Sequence, residues 1–198
     1  HYCRPEMRPR LDTDLLIAPD AREAVARVLR TAGYERPVET DGDLCTSQLH
    51  VTRVDGAGID HHLDVHWRIS NVLALAGVLT YAEVAVRAGA LRQISGEALA
   101  PCAMHSLLIA CVHRIAHHRE SANLLWLYDV ALLADSLDQN NRTAFAALAA
   151  ERQVRAVCAA SLRRAFDAFG GAMNVRVETS SARVLVPVVA TRQVPTSL

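Results

Sequence analysis

Two aspartates separated by a single residue constrain this sequence more than any other feature. Asp12 and Asp14 lie in residues 10–17, whose apolar and Thr-containing composition predicts a short β-strand. Side chains alternate between the faces of a strand, so both carboxylates should point the same way. Adjacent carboxylates repel each other, and a divalent cation such as Mg²⁺, which prefers oxygen ligands, relieves that repulsion. The alternative is an edge strand whose acidic side chains face water.

A second segment shows the clearest alternation in the chain. Residues 59–69 place an apolar side chain at every other position, with His61 as the exception. The intervening polar positions hold Asp60, His62, Asp64, His66 and Arg68. Residues 48–54 also alternate, and the Asp-Gly-Ala-Gly turn at 55–58 joins the two segments. This pattern predicts a β-hairpin with one polar face.

Asp64 comes close to Asp12 and Asp14 if these strands are neighbours in one sheet. Three carboxylates from two strands can hold two Mg²⁺ ions, one activating an attacking hydroxyl and the other stabilising a triphosphate and its leaving group. Charge neutralisation and in-line positioning then provide catalysis without a covalent intermediate. We therefore take Asp12, Asp14 and Asp64 as candidate catalytic residues and metal ligands.

Composition excludes several functional classes. All 21 basic residues are Arg, so lysine-dependent phosphate loops and Schiff-base chemistry are ruled out. The formal net charge is +0 and Arg residues form no dense run, which disfavours a nucleic-acid partner. The five cysteines include no CxxC pair, a pattern typical of a reduced, cytoplasmic chain. No apolar run is long enough to predict a membrane partner.

The pattern of predicted elements changes along the chain. Helices are predicted at residues 19–33, 72–89, 101–119, 122–137 and 143–169. Gly33 is expected to end the first helix as a left-handed cap, and Asn140-Asn141 is expected to break the chain between the last two. We expect three regions, namely a mixed α/β core at 1–95, a helical subdomain at 96–170 and a tail at 171–198 that is partly disordered or holds one strand. The predicted fold class is α+β, with a small mixed β-sheet followed by a C-terminal helical bundle.

These motifs resemble a known family. Arg-x-Asp-x-Asp-Leu-Leu-Ile at 10–17, Ala-Gly-Tyr at 32–34 and Leu-Asp-Val-His-Trp-Arg-Ile at 63–69 are similar to the uncharacterised nucleotidyltransferases of the DNA polymerase β-like superfamily. Residues 113–129 are similar to the helical half of that family, and the resemblance covers residues 8–165. It implies a small mixed sheet with helices on one side. It also implies Mg²⁺-dependent transfer of a nucleoside monophosphate from an NTP, with ATP as the expected donor.

The resemblance also implies roles for individual residues. Asp12 and Asp14 match the metal-binding pair, and Asp64 matches a third carboxylate that would help to deprotonate the acceptor hydroxyl. Arg10, or Arg8, falls where the family places an Arg that faces phosphate. The implied cofactors are two Mg²⁺ ions, and the implied acceptor is a hydroxyl of a small molecule or a protein.

The sequence departs from the superfamily upstream of Asp12. At that position the superfamily carries a glycine-containing element, which is Gly-Ser or, in this subfamily, Lys-Gly-like. The backbone amides of this element hold the triphosphate. Residues 1–11 of this sequence contain no Gly. We expect either an N-terminal truncation or a missing phosphate cradle, so that catalysis would require this element to be supplied. The alternative function is a catalytically inactive or truncated relative that acts as an interaction module.

Histidines on the polar face of residues 59–69 have two interpretations. A His in such a position is more often a hydrogen-bonded neighbour than a metal ligand, and His66 belongs to the family-like motif. The competing interpretation is a zinc-dependent hydrolase that uses His62, Asp64 and His66.

Overall fold

The structure is a computed structural model, and it describes residues 12–36, 46–91, 97–118 and 123–170. Cα proximity divides the chain into two compact units, one ending at Ala82 and the other beginning at Glu83. The first contains the mixed sheet and the second the long C-terminal helices, so the predicted α+β fold class is confirmed.

Among the residues described for the first unit, three strands form the sheet: β1 (Thr13–Leu16), β2 (Gln48–Val54) and β3 (Asp60–His66). Their order is β1-β3-β2, so β3 lies in the centre. It runs parallel to β1 and antiparallel to β2, which makes the sheet mixed, as predicted. β1 begins one residue after Asp12, and β3 ends before the predicted position 69.

Asp55 holds the turn between β2 and β3. Its Oδ1 accepts hydrogen bonds from the backbone N–H groups of Ala57 at 2.8 Å and Ile59 at 3.0 Å, and its Oδ2 lies 2.9 Å from His61 Nε2. The hydrogen bond from His61 and those two backbone bonds lower the pKa of Asp55 to about 2. Because a turn sets the register of a hairpin, these bonds also decide which residues of β2 and β3 lie opposite each other.

A 3₁₀ turn, Pro19–Ala21, leads into α1 (Arg22–Thr31). Gly33 has φ +81°, a left-handed conformation that glycine adopts without a Cβ clash. The N–H of Tyr34 reaches back to the carbonyl of Leu29 at 2.9 Å, which closes a Schellman motif. The predicted glycine stop of this helix is therefore confirmed.

Alternation gives the sheet one apolar face and one polar face. Val51 on β2 and Val65 on β3 are buried, at 3% and 1% exposure. Their chain neighbours His50, Asp64 and His66 point to the opposite face and are only partly buried.

The prediction of one continuous helix over residues 72–89 is wrong. Two short helices, α2 (Leu73–Ala76) and α3 (Tyr81–Val86), replace it. Gly77 forms the C-cap of α2, and glycine and the β-branched residues that follow it disfavour continued helix.

In the part of the second unit that the structure describes, there are two paired antiparallel strands and four longer helices. Its strands are β4 (Gly89–Ala90) and β5 (Leu99–Ala100), and its helices are α4 (Ala103–His118), α5 (Leu124–Ser136), α6 (Gln139–Glu151) and α7 (Arg155–Phe169). The fully buried side chains of this bundle include Leu107, Leu108, Val130, Phe145 and Cys158. No helix among the described residues is long and apolar enough to cross a bilayer.

The boundary between the last helices differs from the prediction. Asn140 and Asn141 do not break the chain, because Asp138 caps α6 by accepting a hydrogen bond from the N–H of Asn141 at 2.7 Å. The predicted helix at 143–169 is instead interrupted at Gln153, which has φ +58° and separates α6 from α7.

A buried charge links two helices of this unit. Arg114 on α4 is 2% exposed, and its Nε donates a hydrogen bond of 3.0 Å to Ser161 Oγ on α7. The Ser161 hydroxyl in turn donates to the carbonyl of Cys111 at 3.3 Å. A buried guanidinium is stable only when its donors are engaged, so this contact holds α7 against α4.

Candidate functional site

Strand register brings two of the three predicted carboxylates side by side. Asp14 on β1 is the direct partner of Asp64 on β3 in the parallel pair. His50 on β2 is the direct partner of Asp64 in the antiparallel pair. Direct partners project from the same face of a sheet, so Asp14, Asp64 and His50 form a row across the polar face.

His66 adds a third donor beside the two carboxylates. It follows Asp64 by two residues on β3 and therefore shares its face. Asp14, Asp64 and His66 each offer one ligand atom, and these atoms lie within 4.8 Å of one another. A cation held at about 2.1 Å from each ligand atom allows separations of up to about 4.2 Å across it. The three side chains therefore need only small adjustments to bind one ion.

The donor set of this group suits a divalent cation. Asp14 and Asp64 offer carboxylate oxygens, which Mg²⁺ and Mn²⁺ prefer, and His66 offers an imidazole nitrogen, which Zn²⁺ and other transition metals also accept. Two ionised carboxylate oxygens within 4.8 Å of each other repel by about 1 kcal/mol or more in water, and the repulsion grows in less polar surroundings. A bound cation converts that repulsion into attraction.

Both carboxylates also have an imidazole partner. His66 Nε2 lies 2.9 Å from Asp14 Oδ1, and His50 Nδ1 lies 2.6 Å from Asp64 Oδ1. His62 stacks on His50 with ring centroids 5.6 Å apart. His66 thus makes the hydrogen-bonded contact that the sequence favours and also belongs to the group of three, whereas His62 stacks on a histidine ring and does not belong to that group.

The remaining predicted site residues lie elsewhere. Asp12 is described, immediately before β1, and is not a member of the group formed by Asp14, Asp64 and His66. Its role as a metal ligand stays a prediction. Arg8 and Arg10, predicted to face phosphate, lie outside the described residues.

His50 is the residue of this face that the sequence did not single out. The alternation of residues 48–54 places His50 on one face with Gln48 and Thr52, but alternation alone does not say which face that is. Only the hairpin register shows that His50 shares the face of the candidate site, because it pairs His50 with Asp64.

Comparison with known proteins identifies one related family. The sequence model of a family described as uncharacterised nucleotidyltransferase matches residues 1–170. That range contains the three strands of the mixed sheet and the four long helices found among the described residues. Neither a curated protein nor a solved structure matches this chain.

Proposed function

The chain belongs to the family of uncharacterised nucleotidyltransferases, and we propose that it moves a nucleoside monophosphate from an NTP to a hydroxyl of a small molecule or a protein. The observation that carries the proposal is the convergence of Asp14, Asp64 and His66 on one face of the sheet. We propose ATP as the donor and Mg²⁺ as the cation, with two ions per site. The choice of donor, acceptor and number of ions in this proposal follows from what the resemblance implies.

In this proposal, the side chains of the polar face hold the cation. Asp14 and Asp64 would bind it through carboxylate oxygens, and His66 through its ring nitrogen. Asp12, just before β1, would supply a further carboxylate for the second ion. The bound cation would supply charge neutralisation of the triphosphate and activation of the acceptor hydroxyl.

The proposed reaction balances without a protein nucleophile. The acceptor oxygen forms a bond to the α-phosphorus of the NTP, and the bond from that phosphorus to the oxygen bridging to the β-phosphate breaks. Pyrophosphate leaves with the bonding electron pair. The hydroxyl proton passes to a carboxylate oxygen, for which we propose Asp64, and then to solvent.

Partial burial supports this use of Asp64. Its side chain is 15% exposed and that of Asp14 is 24% exposed. Electrostatic interactions gain strength when water is partly excluded, and the remaining exposure leaves both carboxylates accessible from solvent. Asp64 also lies on the central strand, β3, which is hydrogen-bonded to β1 on one side and to β2 on the other.

Two titrations test the proposal. Binding of Mn²⁺, a paramagnetic substitute for Mg²⁺, is measured by electron paramagnetic resonance, and binding of Mg²⁺-ATP is measured by calorimetry. We expect Asp14→Asn and Asp64→Asn to weaken both binding events by at least tenfold, because each removes an anionic ligand. Asp60→Asn is the matched control, since Asp60 lies on the same face of β3 but is exposed and outside the group of three. It should bind as the wild type does.

A wild-type chain that binds neither Mn²⁺ nor Mg²⁺-ATP would overturn the proposal. That result would favour the alternative, a catalytically inactive relative that acts as an interaction module. Release of pyrophosphate from an NTP by the wild type, and its loss in Asp64→Asn, would support transfer over simple nucleotide binding.

A further inference from the structure

The Asp64 carboxylate has a hydrogen-bonding partner on β2, a strand that holds no member of the group formed by Asp14, Asp64 and His66. His50 lies on β2, on the opposite side of Asp64 from Asp14, and its Nδ1 is 2.6 Å from Asp64 Oδ1. That separation is slightly shorter than the roughly 2.7–2.9 Å usual for a charge-assisted N–H···O bond. An ionised carboxylate only accepts hydrogen bonds, so the proton of this bond resides on His50 Nδ1.

This bond restrains a torsion that the backbone leaves free. Strand register fixes the Cα of Asp64, but the terminal torsion of an aspartate is broad and roughly two-fold. A hydrogen bond at Oδ1 selects one orientation of the carboxylate plane. The second oxygen, Oδ2, then has a defined direction in which to bind a cation.

His50 is itself held in place. Its ring stacks on that of His62, with centroids 5.6 Å apart and an interplanar angle of 29°. His62 lies on β3, two residues before Asp64, so the stacking partner belongs to the same rigid strand. The imidazole is thus restrained both along the strand and across it.

We propose that His50 is a positioning residue that orients the Asp64 carboxylate for cation binding, without itself binding the cation. This inference rests on the proposed function and deepens it. Ordered partners of ligating carboxylates and imidazoles matter because they reduce the cost of assembling the site, and their loss typically weakens metal affinity 10–100-fold.

The test uses amide isosteres of the imidazole and measures Mn²⁺ affinity by electron paramagnetic resonance, without nucleotide. His50→Ala should raise the Mn²⁺ dissociation constant about 10–100-fold. The amide nitrogen of Asn occupies the position of His Nδ1, so His50→Asn should restore binding to within about threefold of the wild type. The amide nitrogen of Gln instead occupies the position of Nε2, so His50→Gln should not restore binding.

A role limited to fold stability would give a different pattern. In that case the unfolding midpoint would fall alike in the Asn and Gln variants, and neither would recover Mn²⁺ affinity selectively. Wild-type affinity in His50→Ala, or equal affinity in the Asn and Gln variants, overturns the positioning role while leaving the proposed function intact. A wild-type chain that does not bind Mn²⁺ overturns both.

Discussion

Truncating Val65 separates the structural role of β3 from its chemical role. Val65 lies between Asp64 and His66 in sequence, yet it points to the opposite face and is 1% exposed. Val65→Ala removes two buried methyl groups, whose transfer to water is worth about 1.6 kcal/mol at about 0.8 kcal/mol each. With the cavity that remains, we expect a loss of about 2–3 kcal/mol in the free energy of unfolding.

Cation binding should survive this loss of stability. The ligand atoms of Asp14, Asp64 and His66 lie on the polar face, and Val65→Ala removes atoms only from the other face. The Mn²⁺ dissociation constant measured well below the unfolding midpoint should therefore stay within about twofold of the wild type. Asp64→Asn should behave in the opposite way, losing Mn²⁺ binding with a smaller change in stability.

Tryptophan fluorescence can follow the sheet unit by itself. The chain has two Trp residues, Trp67 just after β3 and Trp126 in α5, one in each compact unit. In a Trp126→Phe background, urea unfolding monitored by fluorescence reports on the surroundings of Trp67. A loss of 2–3 kcal/mol shifts the midpoint by about 1–3 M urea for slopes of about 1–2 kcal/mol/M.

Val54→Ala is the matched control for this experiment. Val54 ends β2 and is 62% exposed, so its truncation should change the free energy of unfolding by less than about 0.5 kcal/mol. Equal effects of Val54→Ala and Val65→Ala would refute the assignment of a core face to β3. A large loss of Mn²⁺ affinity in Val65→Ala would show that the two faces are not independent.

Three further substitutions test other parts of the structure. Gly33→Ala should destabilise the sheet unit by about 1–2 kcal/mol, measured through Trp67, because the φ of +81° strains any residue with a Cβ. Asp55→Asn should lower the unfolding midpoint at neutral pH. Because the folded pKa of Asp55, about 2, lies below its ordinary value of 3.8, the difference from wild type should be fully present above pH 4 and be lost as the pH falls through about 2. Ser161→Ala should cost the helical unit about 1.5–3 kcal/mol, followed by Trp126 fluorescence, because the buried Arg114 loses an acceptor at 3.0 Å.

Local patterns predict a large part of this fold. Alternation identifies β2 and β3, Asp-Gly-Ala-Gly identifies the turn between them, and Gly33 identifies the end of α1. Each of these signals depends on residues within a few positions of one another. The sequence also predicts the convergence of Asp14 with Asp64, although that step uses the family resemblance as well as the strand pattern.

The errors in helix prediction have a common physical origin. The apolar composition of residues 72–89 favours helix throughout, but a single glycine, Gly77, ends α2 after one turn. At Asn140 and Asn141 the reverse occurs, because the Asp138 cap compensates for the low helix propensity of Asn. In both places one capping residue outweighs the average propensity of the segment.

The candidate site depends on how β3 is aligned with β1 and with β2, and only the alignment with β2 is set by residues close together in the sequence. Asp55 sets the hairpin register through bonds within six residues, and this register places His50 opposite Asp64. No turn joins β1 to β3, whose partners Asp14 and Asp64 are 50 positions apart in the chain. A shift of one residue in that parallel pair would remove Asp14 from the row while leaving every local pattern intact. The two carboxylates therefore meet through packing of the whole sheet unit. Alternation identifies the residues of the polar face, but it does not predict the strand alignment that places Asp14 beside Asp64.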